Sequence, residues 1–283
     1  MTLDTTAEAP VPEEVGRLYD RFVTLTTEAP SSNMHYGYWE GPHDTAPLEV
    51  ATDQLTDLLV RQLELGPGRR VLDLGCGLGI PTIRLARTTG AEVVGITNSH
   101  EQARVARALV EKEGMAHLVT IAHGDATELA AHPSGSFDAV MALESIGHMP
   151  DRETVLKSAA RVLRPGGRIA LTDFFERAPL PADKQEALDA YFTKFMMTWV
   201  GQIDAYPGIV RAAGLRLSSL TDISEQTIRR TFQQVPRSVV DNLPKPADVS
   251  QLPEMDQFGA VAIGLVDVWE LGYLMLVAEL PGD

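Results

Sequence analysis

Two periodicities take turns along this chain. Short apolar runs closed by glycine or polar residues occupy 70–74, 92–96, 119–123, 137–142 and 168–174, and each reads as a buried strand. Between them apolar residues recur at helical spacing, as in 80–88 with Ile80, Ile83, Leu85 and Ala86. Strands alternating with crossover helices predict a parallel sheet covered on both faces. Ahead of it, Val15, Leu18, Tyr19, Phe22 and Val23 predict a helix over 13–26, and 48–65 reads as a second amphipathic helix. Past residue 178 the alternation breaks. Residues 183–200 predict a helix rich in Phe, Met, Tyr and Trp, 215–220 a strand, 224–240 a long helix, 261–270 a helix and 272–279 the last strand. Helices inserted around the final strands, over the carboxyl edge of a doubly wound sheet, form a cap. The expected organisation is a disordered segment over 1–12, helices and an aromatic loop over 13–66, a ligand-binding core over 67–178, and cap helices with the closing strands over 179–283.

The densest chemistry sits at the end of the first strand, in Val71-Leu72-Asp73-Leu74-Gly75-Cys76-Gly77-Leu78-Gly79. Glycines at alternate positions lack the Cβ that keeps a ligand off the main chain, and the helix that follows, with Pro81 in its first turn, offers free N-terminal amides. The spacing differs from the dinucleotide Gly-x-Gly-x-x-Gly, and no Gly-Lys-Ser/Thr follows as in a P-loop. A carboxylate at the strand end repels a pyrophosphate and attracts an ammonium, so Asp73 points to an amine-bearing cofactor.

Asp-Leu-Gly-Cys-Gly resembles motif I of the class I S-adenosylmethionine (SAM) methyltransferases. Phe137-Asp138-Ala139-Val140-Met141-Ala142 and the turn Arg164-Pro165-Gly166-Gly167 resemble the later strand and Pro-Gly-Gly turn of that family in order and spacing, and the likeness covers about residues 33 to 280. It implies a Rossmann-like seven-stranded α/β sheet with helices on both faces and an α-helical cap, with SAM as cofactor. By the same resemblance Asp73, Gly75, Cys76 and Gly77 hold the methionine end, the Ala142 carbonyl accepts from its ammonium, and Asp125 in Gly124-Asp125-Ala126 takes the adenine amine. Asp125 is alternatively a helix N-cap, and Cys76 a small packing residue. The second strand ends in Thr97-Asn98-Ser99, where the superfamily carries an acidic ribose ligand; Thr97, Asn98 and Gln102 are the expected substitutes, with Gln102 also readable as a plain helix-surface residue.

Within the superfamily, three segments look like the rebeccamycin-type sugar O-methyltransferases of natural-product pathways: His35-Tyr36-Gly37-Tyr38-Trp39, Ala142-Leu143-Glu144-Ser145-Ile146-Gly147-His148-Met149-Pro150, and Thr172-Asp173-Phe174. Tyr36 and Glu144 are expected beside the cofactor. Trp39, Tyr191, Phe195 and Trp199 are the expected substrate-pocket walls, although aromatic stripes also serve as core. Those enzymes often carry two successive histidines, and here the first position is Gly147. An alcohol nucleophile loses its proton as it attacks, and imidazole titrates near neutrality, so His148 is the candidate base and Asp173 its orienting carboxylate. The bland alternative makes His148 a cap and Asp173 an edge carboxylate. Three functions follow in order: a SAM-dependent O-methyltransferase acting on a hydroxyl of a secondary metabolite, a deoxysugar or polyketide; a cyclase that binds SAM structurally and closes a polyketide in a 4+2 pericyclic step; and a non-catalytic SAM-binding scaffold.

Composition narrows the partners. At 283 residues the chain fits one embellished α/β domain. No apolar run approaches the roughly 20 residues of a membrane span, and 1–12 lacks the basic start and apolar centre of a signal peptide, so a cytoplasmic protein with no membrane partner is expected. A single cysteine, Cys76, excludes an intramolecular disulfide. A net charge of −15 and 24 scattered basic residues argue against nucleic acid and for a small uncharged or cationic substrate. No metal site is expected, since His35, His43 and the other histidines have no partners at ligand spacing. The oligomeric state is not fixed, and a homodimer stays open.

Overall fold

A computed structural model describes residues 9–25, 33–199, 201–234, 246–251 and 253–282. Helices α1 (Pro12–Leu25) and α2 (Leu48–Gln62) precede the alternating core. The core runs β1 (Arg70–Leu74), α3 (Ile80–Thr89), β2 (Glu92–Thr97), α4 (His100–Lys112), β3 (Val119–His123), β4 (Phe137–Ala142), α5 (Arg152–Val162) and β5 (Leu163–Glu176). Then come α6 (Ala182–Lys194), α7 (Tyr206–Ala212), β6 (Arg216–Asp222), α8 (Ile228–Gln233), α9 (Glu254–Ile263) and β7 (Leu271–Glu279).

The strands form one sheet in the order β3-β2-β1-β4-β5-β7-β6, parallel except for β7, which runs antiparallel to both neighbours. Alternation along the strands sorts side chains to two faces. Val71, Ala139 and Met141 face the core made with α2, α3 and α4 through Leu55, Leu59, Ile83 and Ala106. Leu72, Leu74, Val140 and Ala142 face the core made with α5 and α7 through Val155, Leu156 and Val210. The Rossmann-like seven-stranded sheet covered on both faces is therefore the architecture of this chain. Among the described residues no helix is long and apolar enough to cross a membrane.

Four expected elements differ. β5 starts at Leu163, five residues early, because Leu163 pairs with Phe137 and the Gly166 amide donates to the Leu280 carbonyl at 2.8 Å. The helix expected over 183–200 stops at Lys194: Met196 enters the left-handed region at φ 50°, and the Thr198 amide donates instead to the Gly147 carbonyl at 2.8 Å. The helix expected over 224–240 is a 3₁₀ turn at Ser224–Gln226 followed by α8, since Thr227 (φ −121°, ψ −97°) breaks the run; 235–245 lie outside the described residues. The helix expected over 261–270 is α9, which begins after Pro253 and ends at Gly264. Of the segment 1–12, residues 1–8 also lie outside the description, and Pro12 already opens α1.

Candidate active site

One cavity of about 620 Å³ opens along the carboxyl edge of β1, β2, β4 and β5, within the range of small-molecule sites. At one end it is walled by Gly75, Cys76 and Gly77, by Ile96-Thr97-Asn98, and by Asp125-Ala126-Thr127. At the other end stand Tyr19, Glu144, His148, Phe174, Tyr191 and Phe195, with Phe22, Met197 and Phe258 closing the wall.

The glycine-rich end fits the methionine half of SAM. Gly75, Gly77 and Gly79 all have positive φ, and a Cβ on Gly75 would lie 2.3 Å from Cβ of Ser145, so glycine is required there. The Gly75 and Cys76 amides donate to the Ile96 carbonyl at 2.9 and 2.8 Å, which fixes the loop but removes both as ligand donors. The Gly77 and Leu78 amides have no acceptor among the described residues and remain for a carboxylate. Asp73 is not on the cavity wall; it lies buried behind the turn, where Thr82 Oγ1 donates to its Oδ2 at 2.6 Å. Burial pushes its carboxyl up to about 7, and its second oxygen receives no donor among the described residues, so a cation nearby would relieve it. Ala142 is buried in β4, and Gly124, whose amide donates to the Thr97 carbonyl at 2.9 Å, is also off the wall; Ala126 and Asp125 line it. Asp125 Oδ1 accepts from the Thr127 amide at 2.7 Å, which leaves Oδ2 for a ligand.

The Thr97-Asn98-Ser99 segment has a use that its sequence did not disclose. Thr97 Oγ1 donates to Gln102 Oε1 at 2.8 Å, and both residues line the cavity. Asn98 Nδ2, expected on the cofactor, donates to the Pro12 carbonyl at 2.8 Å, while Asp20 Oδ1 accepts from Ser99 Oγ at 2.6 Å and from the Glu101 amide at 2.9 Å. Gly16 sits directly on this segment, where a Cβ would come within 2.3 Å of the Asn98 carbonyl oxygen. The loop after β2 thus docks α1, which presents Pro12, Val15, Tyr19 and Phe22 to the cavity. In the sequence these residues are indistinguishable from a core stripe.

The expected pair of His148 and Asp173 is not formed. His148 Nδ1 lies 2.9 Å from the Phe195 carbonyl, which only accepts, so Nδ1 carries the hydrogen and Nε2 the lone pair. Nε2 is 2.9 Å from the Tyr19 hydroxyl, which donates to it. Burial lowers the imidazole to about 4, so it stays neutral through the physiological range. Asp173 belongs to a buried ion pair: Arg152 Nε and NH2 donate to it at 3.0 and 3.3 Å, the Phe174 amide at 2.8 Å, and the Tyr206 hydroxyl also donates. Arg152 in turn donates to the Thr198 carbonyl at 2.7 Å, and so anchors the turn after α6 that supplies the Phe195 carbonyl. At Gly147 a Cβ would meet Cε of Met197 at 2.6 Å; the methionine methyl stands where a side chain at this position would go.

Glu144 faces the cavity from a left-handed backbone position, φ 50°. Its Oε1 accepts from the Tyr36 amide at 2.8 Å and the Tyr273 hydroxyl at 2.7 Å, Oε2 receives no donor among the described residues, and burial raises the carboxyl to about 7. Tyr36 is a packing residue off the wall, edge-on to Phe174, Phe232 and Tyr273 at 5.8–5.9 Å. Two expected pocket walls are elsewhere. Trp39 is core, 1% exposed, with Nε1 donating to the Ala46 carbonyl at 2.8 Å. Trp199 packs edge-on against Phe192 at 5.2 Å, outside the cavity. Tyr191 and Phe195 line it.

Comparison with known proteins adds four findings. Residues 72–171 match the methyltransferase domain family. Methyltransferase GfsG of Streptomyces halstedii is 39% identical over 273 residues, covering 95% of this chain and 94% of that protein. The 27-O-demethylrifamycin SV methyltransferase of Amycolatopsis mediterranei is 42% identical over 221 residues, 77% of this chain and 79% of the other. Among solved structures, the 4+2 cyclase SpnF superposes with a TM-score of 0.76 at 28% identity, covering 98% of both chains.

Proposed function

Because the chain belongs to the class I SAM-dependent methyltransferases, we propose that it transfers a methyl group to one hydroxyl of an apolar secondary metabolite, with His148 as the base. That it is an O-methyltransferase of such pathways accords with its relatives, one named for the 27-oxygen of rifamycin SV. The observation that carries the residue assignment is the tautomer of His148, whose lone-pair nitrogen the Phe195 carbonyl turns toward Tyr19, with both residues lining the cavity. A polyketide alcohol is favoured over a deoxysugar. The wall formed by Phe22, Phe174, Tyr191, Phe195, Met197 and Phe258 is mainly aromatic, which suits an apolar polyketide alcohol better than a hydroxyl-rich sugar.

Bound SAM supplies a methyl already activated by its sulfonium. The chain's residues hold and orient. The Gly77 and Leu78 amides take the carboxylate, Asp73 balances the ammonium, and Asp125 with Thr97 and Gln102 covers the nucleoside. Glu144 Oε2 accepts from the substrate and orients it. Alignment of the hydroxyl with the methyl is the main contribution, and His148 removes the proton as the ether bond forms. A protonated ether is a strong acid, so an imidazole held near 4 suffices as acceptor. The test is incubation with SAM and unmethylated polyketide alcohols, following S-adenosylhomocysteine against product mass. Equal release and methyl gain supports the reading. The likeness to SpnF over nearly the whole chain favours cyclisation as the second reading, and product without release or mass gain selects it.

A further inference from the structure

Among the described residues, both ring nitrogens of His148 are engaged. Nδ1 is committed to the Phe195 carbonyl, and Nε2 is covered by the Tyr19 hydroxyl at 2.9 Å, the two rings standing edge-on at 5.3 Å and 87°. A substrate hydroxyl cannot take the place of Tyr19 while α1 stays docked. The neighbouring Asp20 is tied to Ser99 and Glu101, the Pro12 carbonyl to Asn98, and Gly16 is in contact with the Asn98 carbonyl. Tyr19 and His148 both line the cavity.

We propose that Tyr19 is a catalytic residue that binds the substrate hydroxyl and relays its proton to His148. This rests on the assignment of His148 as base. As the methyl carbon bonds to the substrate oxygen and the carbon–sulfur bond breaks with its electron pair going to sulfur, the hydroxyl proton passes to the Tyr19 oxygen. The Tyr19 proton passes in the same event to His148 Nε2. Tyr19 ends as a neutral phenol, His148 as an imidazolium that discharges to water when the product leaves. Concert is required because burial and the neighbouring Tyr191 and Glu144 push the Tyr19 phenol upward, which removes a free phenolate as an alternative base.

Tyr19→Phe keeps the ring and removes only the hydroxyl. Its kcat is expected to fall about 100-fold, in the range of a lost acid–base contribution, with KM within threefold and the melting temperature close to wild type. The double variant Tyr19→Phe/His148→Ala should be no slower than His148→Ala, since the two act as one unit. In the protein without substrate, the ¹⁵N resonance of His148 Nε2 should move in Tyr19→Phe while Nδ1 stays in place. A kcat for Tyr19→Phe within threefold of wild type, multiplying losses in the double variant, or an unmoved Nε2 resonance overturns the relay. If Tyr19→Phe is harmless and His148→Ala still loses 100-fold, the relay fails and the base stands. If both are harmless, the base assignment fails with it.

Discussion

Asp173→Ala separates a structural carboxylate from a catalytic one. Asp173 and Arg152 are 3% and 4% exposed, and once the carboxylate is gone the guanidinium keeps the Thr198 carbonyl and the Tyr206 hydroxyl but no counter-charge beside it among the described residues. Removing one partner of a buried pair leaves an uncompensated charge at a cost of about 3–5 kcal/mol. At about 2 °C per kcal/mol for a chain of this size, the melting temperature should drop by about 6–10 °C. Arg152→Ala should cost as much. The joint variant Asp173→Leu/Arg152→Met should recover most of the loss, because no charge is left buried. Differential scanning calorimetry supplies the melting curves, and methyl-transfer rates are measured well below the transition. The pair makes no hydrogen bond to His148 and supports it through Thr198 and the turn that carries Phe195, with the two opposite charges as lesser influences on the imidazole, so kcat of the folded Asp173→Ala protein should change by less than about tenfold, far short of a lost base. A melting temperature within 2 °C of wild type together with a 100-fold loss of kcat would refute this reasoning and restore Asp173 as the orienting partner of His148.

Gly75→Ala forces a side chain to φ 77° and onto Ser145, a combined cost of about 2–5 kcal/mol, and titration calorimetry should show SAM binding lost or weakened at least tenfold. The Glu144 carboxyl is raised to about 7 against an unfolded value near 4.5, so the unfolded chain ionises first and stability is lost as pH rises between those values. Glu144→Gln, which keeps the acceptor for Tyr36 and Tyr273, should therefore gain stability relative to wild type at pH 8 over pH 5, on the order of 3 kcal/mol, and an equal difference at both pH values would count against it. With His148 neutral down to about 4, the His148-dependent limb of kcat should leave the rate flat from pH 6 to 8; a limb near 7 that vanishes in Glu144→Gln would move the base to Glu144. Trp39→Phe should lower stability by about 1–3 kcal/mol while KM for the alcohol stays unchanged, since Trp39 is core and its indole holds the Ala46 carbonyl.

The sheet was legible because its parallel strands are short, mainly apolar segments closed by glycine or polar residues: β1, β3 and β4 have the bounds that the pattern assigns. What escaped depends on partners far away in sequence. β5 begins early because Phe137 pairs with Leu163 and Leu280 with the glycines of the Pro-Gly-Gly turn, and α6 ends early because Gly147 claims Thr198. His148 was visible as a titratable residue in a motif, but its orienting group is a backbone carbonyl, which has no signature in side-chain pattern. Asp173 looked like its partner because a carboxylate at a strand end serves a histidine or a buried arginine equally well, and Arg152 lies 21 positions away. Tyr19 obeys the same helical spacing as its core neighbours, so only three-dimensional contact with His148 sets it apart. Trp39 failed as a pocket wall for the converse reason, as an aromatic in a motif that folded inward.

The most direct test of the central claim is a single-turnover reaction with methyl-labelled SAM and a polyketide alcohol, in which label in the product and S-adenosylhomocysteine are counted together. One labelled methyl on oxygen is expected for each S-adenosylhomocysteine, with loss of both in His148→Ala. Turnover of the alcohol to an isomer of equal mass, with SAM intact, would contradict that claim.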